Sequence, residues 1–194
     1  MKSGIINTFI RSILAGICIG LGGAIFLKLG GVIGSIMFSF GLLTIIHYKL
    51  PLYTGIAGFI QLDNPRDYFR MTIALLGNIL GCYLLSLLQI DVVGSTVIQS
   101  RIDVGYLSCF LRAIGCGIIM TLIVKASRDG NKILILFGVS LFILLGFYHS
   151  IADAFYAAVS DKMLLKEYWI NYLIIVLGNF VGCNIPRLFR YECV

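Results

Sequence analysis

Three polar residues interrupt a long apolar stretch in the second half of the chain: His149, Ser150 and Asp153, within GFYHSIADAF at 146–155. A histidine, with a free pKa of about 6.5, can donate or accept a proton near neutral pH. It can also stabilise an anion by hydrogen bonding. Because an ionisable side chain is costly to bury in apolar surroundings, His149 is a candidate functional residue. The alternative is a structural histidine that bonds a backbone carbonyl.

The amino-acid composition indicates whether the chain is surrounded by water or by lipid. Of 194 residues, 59% are hydrophobic and 12% are charged, and the mean hydropathy is +0.99. These values indicate an all-α integral membrane protein. Apolar runs near the roughly 20 residues that a spanning helix needs predict six transmembrane helices, at about 12–30, 31–62, 71–90, 104–124, 133–159 and 168–189. The first is expected to remain in the mature protein, and any site lies inside the bundle.

The basic residues predict the orientation, because Lys and Arg of short loops are retained in the cytoplasm. With six spans, both termini share the more basic side. That side holds Lys2, Arg11, Arg66, Arg70, Lys125, Arg128, Lys132, Arg187 and Arg190, and the opposite side holds Lys28, Arg101, Lys162 and Lys166. We predict a multi-pass protein of the cytoplasmic (inner) membrane with both termini cytoplasmic. The sequence contains no basic helix with interleaved aromatic residues, so it does not predict a nucleic-acid partner.

The two halves of the chain carry similar motifs in the same order. GNILGC at 77–82 is matched by GNFVGC at 178–183, and YTGIA at 53–57 is matched by YHSIA at 148–152. Three spans in each half would give the halves opposite orientations, which is the inverted-repeat architecture of channels and transporters. We predict one membrane domain, 1–194, with repeat 1 at about 10–92 and repeat 2 at about 102–190.

One span in each half is predicted to be broken. The second carries Lys49, Pro51 and Gly55, which disfavour a continuous helix, and the fifth runs into GFYHSIAD. Irregular backbone at membrane depth is tolerated where it lines a cavity. We therefore predict that Thr54 and His149 lie near a pseudo-twofold axis, where the N-termini of the interrupted helices would favour an anion.

Several stretches resemble the formate/nitrite transporter family, which are pentameric anion channels with an aquaporin-like protomer. They are AGICIGLGG at 15–23, FSFGLL at 38–43, LYTG at 52–55, FLRAIGC at 110–116 and GFYHSIAD at 146–153. The resemblance covers nearly the whole chain. It implies a homopentamer that passes small monovalent anions of weak acids through the bilayer, alone or coupled to protons. Formate leads, with nitrite and hydrosulfide close behind.

Carried over residue by residue, the resemblance makes His149 the central histidine of the pore and Thr54 the threonine that faces it. It also implies two hydrophobic constrictions. One consists of Phe38, Leu42 and Phe142, and the other lies by Leu52 and Tyr53.

Other positions depart from the family pattern. Arg101 stands where the family usually has a lysine that attracts anions, and Lys49, where a glycine is usual, is a second candidate for anion attraction. Three further departures are predicted to tune the site. They are Asp153 for an Asn, Tyr148 for a common Glu, and Gly117 for an Asn near the pore. The aspartate would either tune His149 or pair with a cation such as Arg112.

Two other function classes stay open: an aquaporin-like pore for a small neutral solute, and a non-conducting membrane subunit. An enzyme is not predicted, because the sequence has no nucleophile and base at a recognisable catalytic spacing. The six cysteines form no CxxC pair and are expected to pack as small apolar residues. We predict no cofactor and no metal site.

Overall fold

The computed structural model describes residues 2–189, and it describes side chains from residue 4 onward. The side chain of Lys2, together with Arg190 and Cys193, lies outside the described residues. Within them the chain is helical, with no strand. The α-helices are α1 (Lys2–Leu29), α2 (Gly31–His47), α3 (Tyr53–Ala57), α4 (Pro65–Ser86), α5 (Ser95–Asp103), α6 (Tyr106–Arg128), α7 (Ile133–Leu144), α8 (Ser150–Ala158) and α9 (Lys166–Asn184), followed by a short 3-10 helix, Ile185–Leu188.

Four helices, α1, α4, α6 and α9, are long and apolar enough to cross a membrane. Helices α2 and α7 are apolar but contain only 17 and 12 residues. At 1.5 Å per residue they would reach about 26 and 18 Å, short of the roughly 30 Å hydrocarbon core. Each is followed, after a non-helical segment, by a short helix, α3 or α8.

Helix α1 begins about ten residues ahead of the predicted first span. Its N-terminal turns contain Thr8, Arg11 and Ser12, which lower the hydropathy without breaking a helix. The hydroxyl groups of Thr8 and Ser12 donate to the carbonyls of Gly4 and Thr8, one turn earlier. Hydropathy thus detects the apolar part of this helix and misses its polar start.

Local sequence explains several helix boundaries. Helix α4 starts at Pro65, whose missing N–H suits a first helical position, and the Asn64 side chain accepts a hydrogen bond from the N–H of Arg66. Gly30 and Gly31, at φ 63° and 51°, separate α1 from α2. A left-handed conformation carries little strain for glycine, so the chain can reverse direction there.

The long helices pack in two close pairs, α1 with α4 and α6 with α9. A Cβ atom on Gly81 would collide with the Ile13 carbonyl of α1, and one on Gly182 would collide with the Ile114 carbonyl of α6. Small residues at these crossings let the backbones approach, as is typical of helices packed in lipid. The GNILGC and GNFVGC motifs therefore occupy corresponding positions in the two pairs.

Large apolar side chains remain exposed on the outside of the long helices. They include Ile10, Leu14, Leu76, Leu122, Leu173 and Leu177. An apolar surface this extensive is unsuited to water and suits contact with lipid chains.

Polar contacts fix the connections at one end of the bundle. The Lys28 ammonium lies 2.7 Å from the Asp91 carboxylate, and both side chains are exposed. Its hydrogen bond and positive charge lower the pKa of Asp91 below the ordinary aspartate value. Nearby, the Ser95 hydroxyl donates to the Asp161 carboxylate at 2.6 Å, which ties the start of α5 to the connection after α8.

Candidate functional site

The site lies where α3 and α8 begin. Leu52 and His149 precede these helices, and both have extended backbones, at φ −105°, ψ 132° and φ −109°, ψ 112°. The imidazole Nδ1 of His149 accepts a hydrogen bond from the N–H of Ala152 at 3.2 Å. His149 therefore caps its own helix, a position that Ser, Thr, Asp or Asn usually holds.

A buried amide holds the non-helical segment before α3. Asn78 of α4 accepts a hydrogen bond from the N–H of Tyr53 at 2.8 Å. Its Nδ2 donates to the carbonyls of Ser12, at 2.8 Å, and Pro51, at 3.0 Å. One side chain thus satisfies two backbone groups at the non-helical segment between α2 and α3, and it joins them to α1.

A second amide makes the same set of contacts in the other half. Asn179 of α9 accepts from the N–H of Ser150 at 2.8 Å. Its Nδ2 donates to the carbonyls of Ala113, at 2.9 Å, and Tyr148, at 2.8 Å. These are the asparagines of the GNILGC and GNFVGC motifs. The sequence identified the two motifs as a repeat but did not reveal the role of the amides, although the repeated Gly-Asn pair was the available signal.

Thr54 and His149 meet between the two short helices. The Thr54 Oγ1 lies 2.9 Å from the His149 Nε2, and the residues are 0% and 2% exposed. Because Nδ1 accepts from the backbone, a neutral ring carries its proton on Nε2 and donates it to the threonine oxygen. The threonine hydroxyl proton then remains available to another acceptor.

Aromatic rings cover one side of this pair. The Phe142 ring stacks on the His149 ring at 5.7 Å between centroids, and it meets the Phe38 ring edge to face at 6.2 Å. All three side chains are buried. The central polar contact therefore borders an apolar layer.

Two cavities reach toward the site. The larger, of about 1410 Å³, is lined by buried Leu42 and Leu52 and by basic residues, while the smaller, of about 270 Å³, is lined by Phe142 and His149. Leu42 was grouped with Phe38 and Phe142 from the sequence, but it shares the larger cavity with Leu52. The physical reason is the rise of the helix. Phe38 and Leu42 are about one turn apart on α2, so their positions along the helix axis differ by roughly 6 Å.

Tyr53 is buried, and its hydroxyl donates to the Val176 carbonyl of α9 at 2.9 Å. Lys49 is exposed at the larger cavity, in a left-handed conformation with φ 52°. Its carbonyl and that of Tyr48 accept hydrogen bonds of 2.9 Å from Arg11. Sequence reasoning gave Arg11 no role at this turn, because nothing in the spacing indicates that α1 passes beside it.

Asp153 pairs with Arg101. The Arg101 Nη2 lies 3.1 Å from the Asp153 Oδ1, and the guanidinium sits 4.0 Å from the centre of the Tyr148 ring. Arg112, the partner considered from the sequence, instead donates from Nη1 to the Tyr148 hydroxyl at 3.3 Å. Helix α5 brings Arg101 against α8, and sequence spacing does not reveal that approach.

A family model described as formate/nitrite transporter matches residues 1–186. The chain belongs to this family. The resemblance read from the sequence motifs is thereby confirmed. Membership and the apolar helices together make the chain a multi-pass membrane protein.

Solved structures share the fold. One, titled "FNT family ion channel", is 20% identical with a TM-score of 0.82, over 93% of this chain and 86% of that chain. Another, titled "Pentameric formate channel with formate bound", is 20% identical with a TM-score of 0.81, over 95% of each chain. A search of curated protein sequences gave no significant match. At this level of sequence identity, the structural likeness shows a common fold.

Gly117, where the resemblance implied an asparagine near the pore, lies in close contact with α9. A Cβ atom there would lie 2.5 Å from the Asn179 carbonyl oxygen and 2.7 Å from the Cys183 nitrogen. The position therefore belongs to the close contact between α6 and α9, and it has no room for the larger side chain of an asparagine.

Among the described residues, no group of three or more His, Cys, Asp or Glu side chains could hold a metal ion.

Proposed function

We propose that the chain forms a channel for small monovalent anions of weak acids, with formate first and nitrite and hydrosulfide close behind. The observation that carries the proposal is the contact between Thr54 and His149, buried between two cavities at the starts of two short helices. Membership of the formate/nitrite transporter family and the fold shared with a formate channel support it.

The surroundings of the contact suit passage of a weak acid. Stripping water from an anion in an apolar pore is unfavourable, whereas the neutral acid crosses more easily. The Thr54 hydroxyl can donate to an anion oxygen, and the His149 Nε2–H strengthens that donation through its own hydrogen bond to the threonine oxygen. Phe38 with Phe142, and Leu42 with Leu52, would form the two hydrophobic constrictions, since apolar rings can close a pore by excluding water.

We also propose that α2 with α3, and α7 with α8, each complete one broken crossing, which gives six spans in two inverted repeats. The equivalent hydrogen bonds of Asn78 and Asn179 support this. In this arrangement both termini and the larger, basic cavity face the cytoplasm. A homopentamer is supported by the likeness to the structure titled as a pentameric formate channel.

The test is flux into liposomes that contain the purified protein. Formate, nitrite, hydrosulfide and chloride would be compared from about pH 5 to pH 8. We expect the weak-acid anions to pass and chloride to be excluded. Thr54→Val and His149→Phe should each reduce formate flux at least about tenfold, because a hydrogen bond to a charged group contributes about 1.5–3 kcal/mol. Thr54→Ser should retain most of it.

Thr72→Val is the matched control for Thr54→Val, because Thr72 is an exposed threonine of α4 that lines neither cavity. Its flux should stay within about twofold of the unmodified protein, since surface substitutions usually have small effects. If anions do not pass but water or a small neutral solute does, the neutral-pore alternative replaces the proposal. If nothing passes, a non-conducting subunit does.

A further inference from the structure

The two cavities carry different charge. Six cations line the larger one, Arg11, Lys49, Arg66, Arg70, Arg128 and Lys132, against one acid, Asp67. The charged side chains among the described residues that line the smaller cavity are Arg101 and Asp153. The larger cavity is thus strongly positive, while the smaller one has no formal excess of either sign.

The charges of the smaller cavity are held against each other. Asp153 is buried, at 1% exposure, and accepts hydrogen bonds from the Arg101 Nη2, at 3.1 Å, and Nε, at 3.3 Å. The Arg101 side chain is 15% exposed, and its guanidinium rests on the face of the Tyr148 ring, at 4.0 Å. Hydrogen bonds together with a cation–π contact leave the guanidinium little freedom to turn toward an entering ion.

Such a pair acts at a distance as a dipole. Its potential falls more steeply with distance than that of a single charge, so it attracts an approaching anion weakly. A cleft lined by unpaired cations and bounded by apolar walls concentrates anions instead. The two mouths should therefore differ in their ability to collect anions.

We propose that Asp153 neutralises Arg101 and so limits anion entry through the smaller cavity, which leaves the larger cavity as the main site of anion capture. This inference rests on the proposed function, because it assigns a specificity-determining role on the same pathway. Asp153 acts through Arg101 and need not touch the anion itself. The pore would thus collect anions better from one side of the membrane than from the other.

The test is Asp153→Asn, which removes one negative charge with almost no change in shape. The asparagine oxygen can still accept from the Arg101 guanidinium, so the contact between α5 and α8 is kept. Formate uptake would be measured in right-side-out and inverted membrane vesicles. For entry through the smaller cavity, we expect the half-saturating formate concentration to fall about tenfold, the low end of the range for focused charge. Entry through the larger cavity should not change.

Salt dependence separates charge from shape. A gain that arises from an uncompensated Arg101 should shrink in about 1 M salt, where the screening length is roughly 3 Å. Asp91→Asn is the matched control, because Asp91 forms an exposed ion pair with Lys28 on the same side of the bundle. It loses the same charge outside the cavity and should leave uptake unchanged in both kinds of vesicle.

The double variant Arg101→Gln/Asp153→Asn restores neutrality and should return half-saturation to the wild-type value. Loss of uptake in Asp153→Asn, or no change in its half-saturation while the wild-type protein conducts formate, would overturn the inference and leave the proposed function standing. An equal gain for entry from both sides would also overturn it. If the wild-type protein conducts no anion, the proposed function fails and the role of Asp153 fails with it.

Discussion

The amides of Asn78 and Asn179 allow a prediction whose magnitude follows from the structure. Asn78→Leu keeps the number and branching of the side-chain heavy atoms and removes three hydrogen bonds. The Ser12 carbonyl lies inside α1 and retains its helical partner, but the Tyr53 N–H and the Pro51 carbonyl lose theirs. Each buried, unpaired group costs about 1–3 kcal/mol, so the free energy of unfolding should fall by about 2–6 kcal/mol.

Asn179→Leu should cause a loss of the same size, because the Ser150 N–H and the Tyr148 carbonyl lose their partners in the same way. Unfolding would be followed in mixed detergent micelles of increasing SDS content. Trp169 of α9 is the only tryptophan of the chain, so its fluorescence reports the transition directly.

Asn131→Leu is the control, since Asn131 is exposed in the connection before α7. It should change the free energy of unfolding by less than about 0.5 kcal/mol. A loss below about 1 kcal/mol for Asn78→Leu or Asn179→Leu would refute the reasoning, because the interrupted backbones would then be satisfied without the amides.

Two further predictions concern the pore wall and the helix contacts. Phe142→Ala removes a ring that stacks on the central histidine, so formate flux should rise and the exclusion of chloride should weaken in liposomes. Phe137→Ala, at an exposed position on the same helix, should change neither, and equal behaviour of the two variants would argue against a constriction there. Gly117→Ala places a Cβ 2.5 Å from a backbone oxygen of α9 and should lower the free energy of unfolding by about 1–3 kcal/mol. Gly4→Ala has open space around the new methyl group. It should leave that quantity unchanged or raise it by up to about 1 kcal/mol in the same SDS titration, and a loss comparable to that of Gly117→Ala would contradict the packing argument.

Part of the site was accessible from the sequence because a local signal marks the end of α2. Pro51 lacks a backbone N–H and disfavours a helix interior, and α2 ends at His47. The sequence predicted that Thr54 and His149 lie near one another, and in the structure their side chains are in contact. The structural correspondence is two residues away from the motif match, because His149 precedes its short helix as Leu52 does, and Asn179 holds the N–H of Ser150 as Asn78 holds that of Tyr53. The functional role of the contact between Thr54 and His149 stays a prediction until flux is measured.

Other features depend on geometry that spacing does not contain. Arg101 and Asp153 are on different helices, and their contact depends on how α5 lies across α8. Which cavity Leu42 lines depends on where its turn of α2 lies in the folded protein. Motif comparison gives only its position along the chain. In both cases the packing of the helices determines which residues come into contact, and the sequence spacing does not specify that packing.

The duplicated amides also have a consequence for engineering. Asn78 fastens one interrupted segment to α1 and α4, and Asn179 fastens the other to α6 and α9. Each of the two non-helical segments thus has its own anchor, so redesign of the segment before α3 can leave the support of the segment before α8 in place. Variants could be diversified one half at a time, with the opposite half serving as an unaltered internal reference.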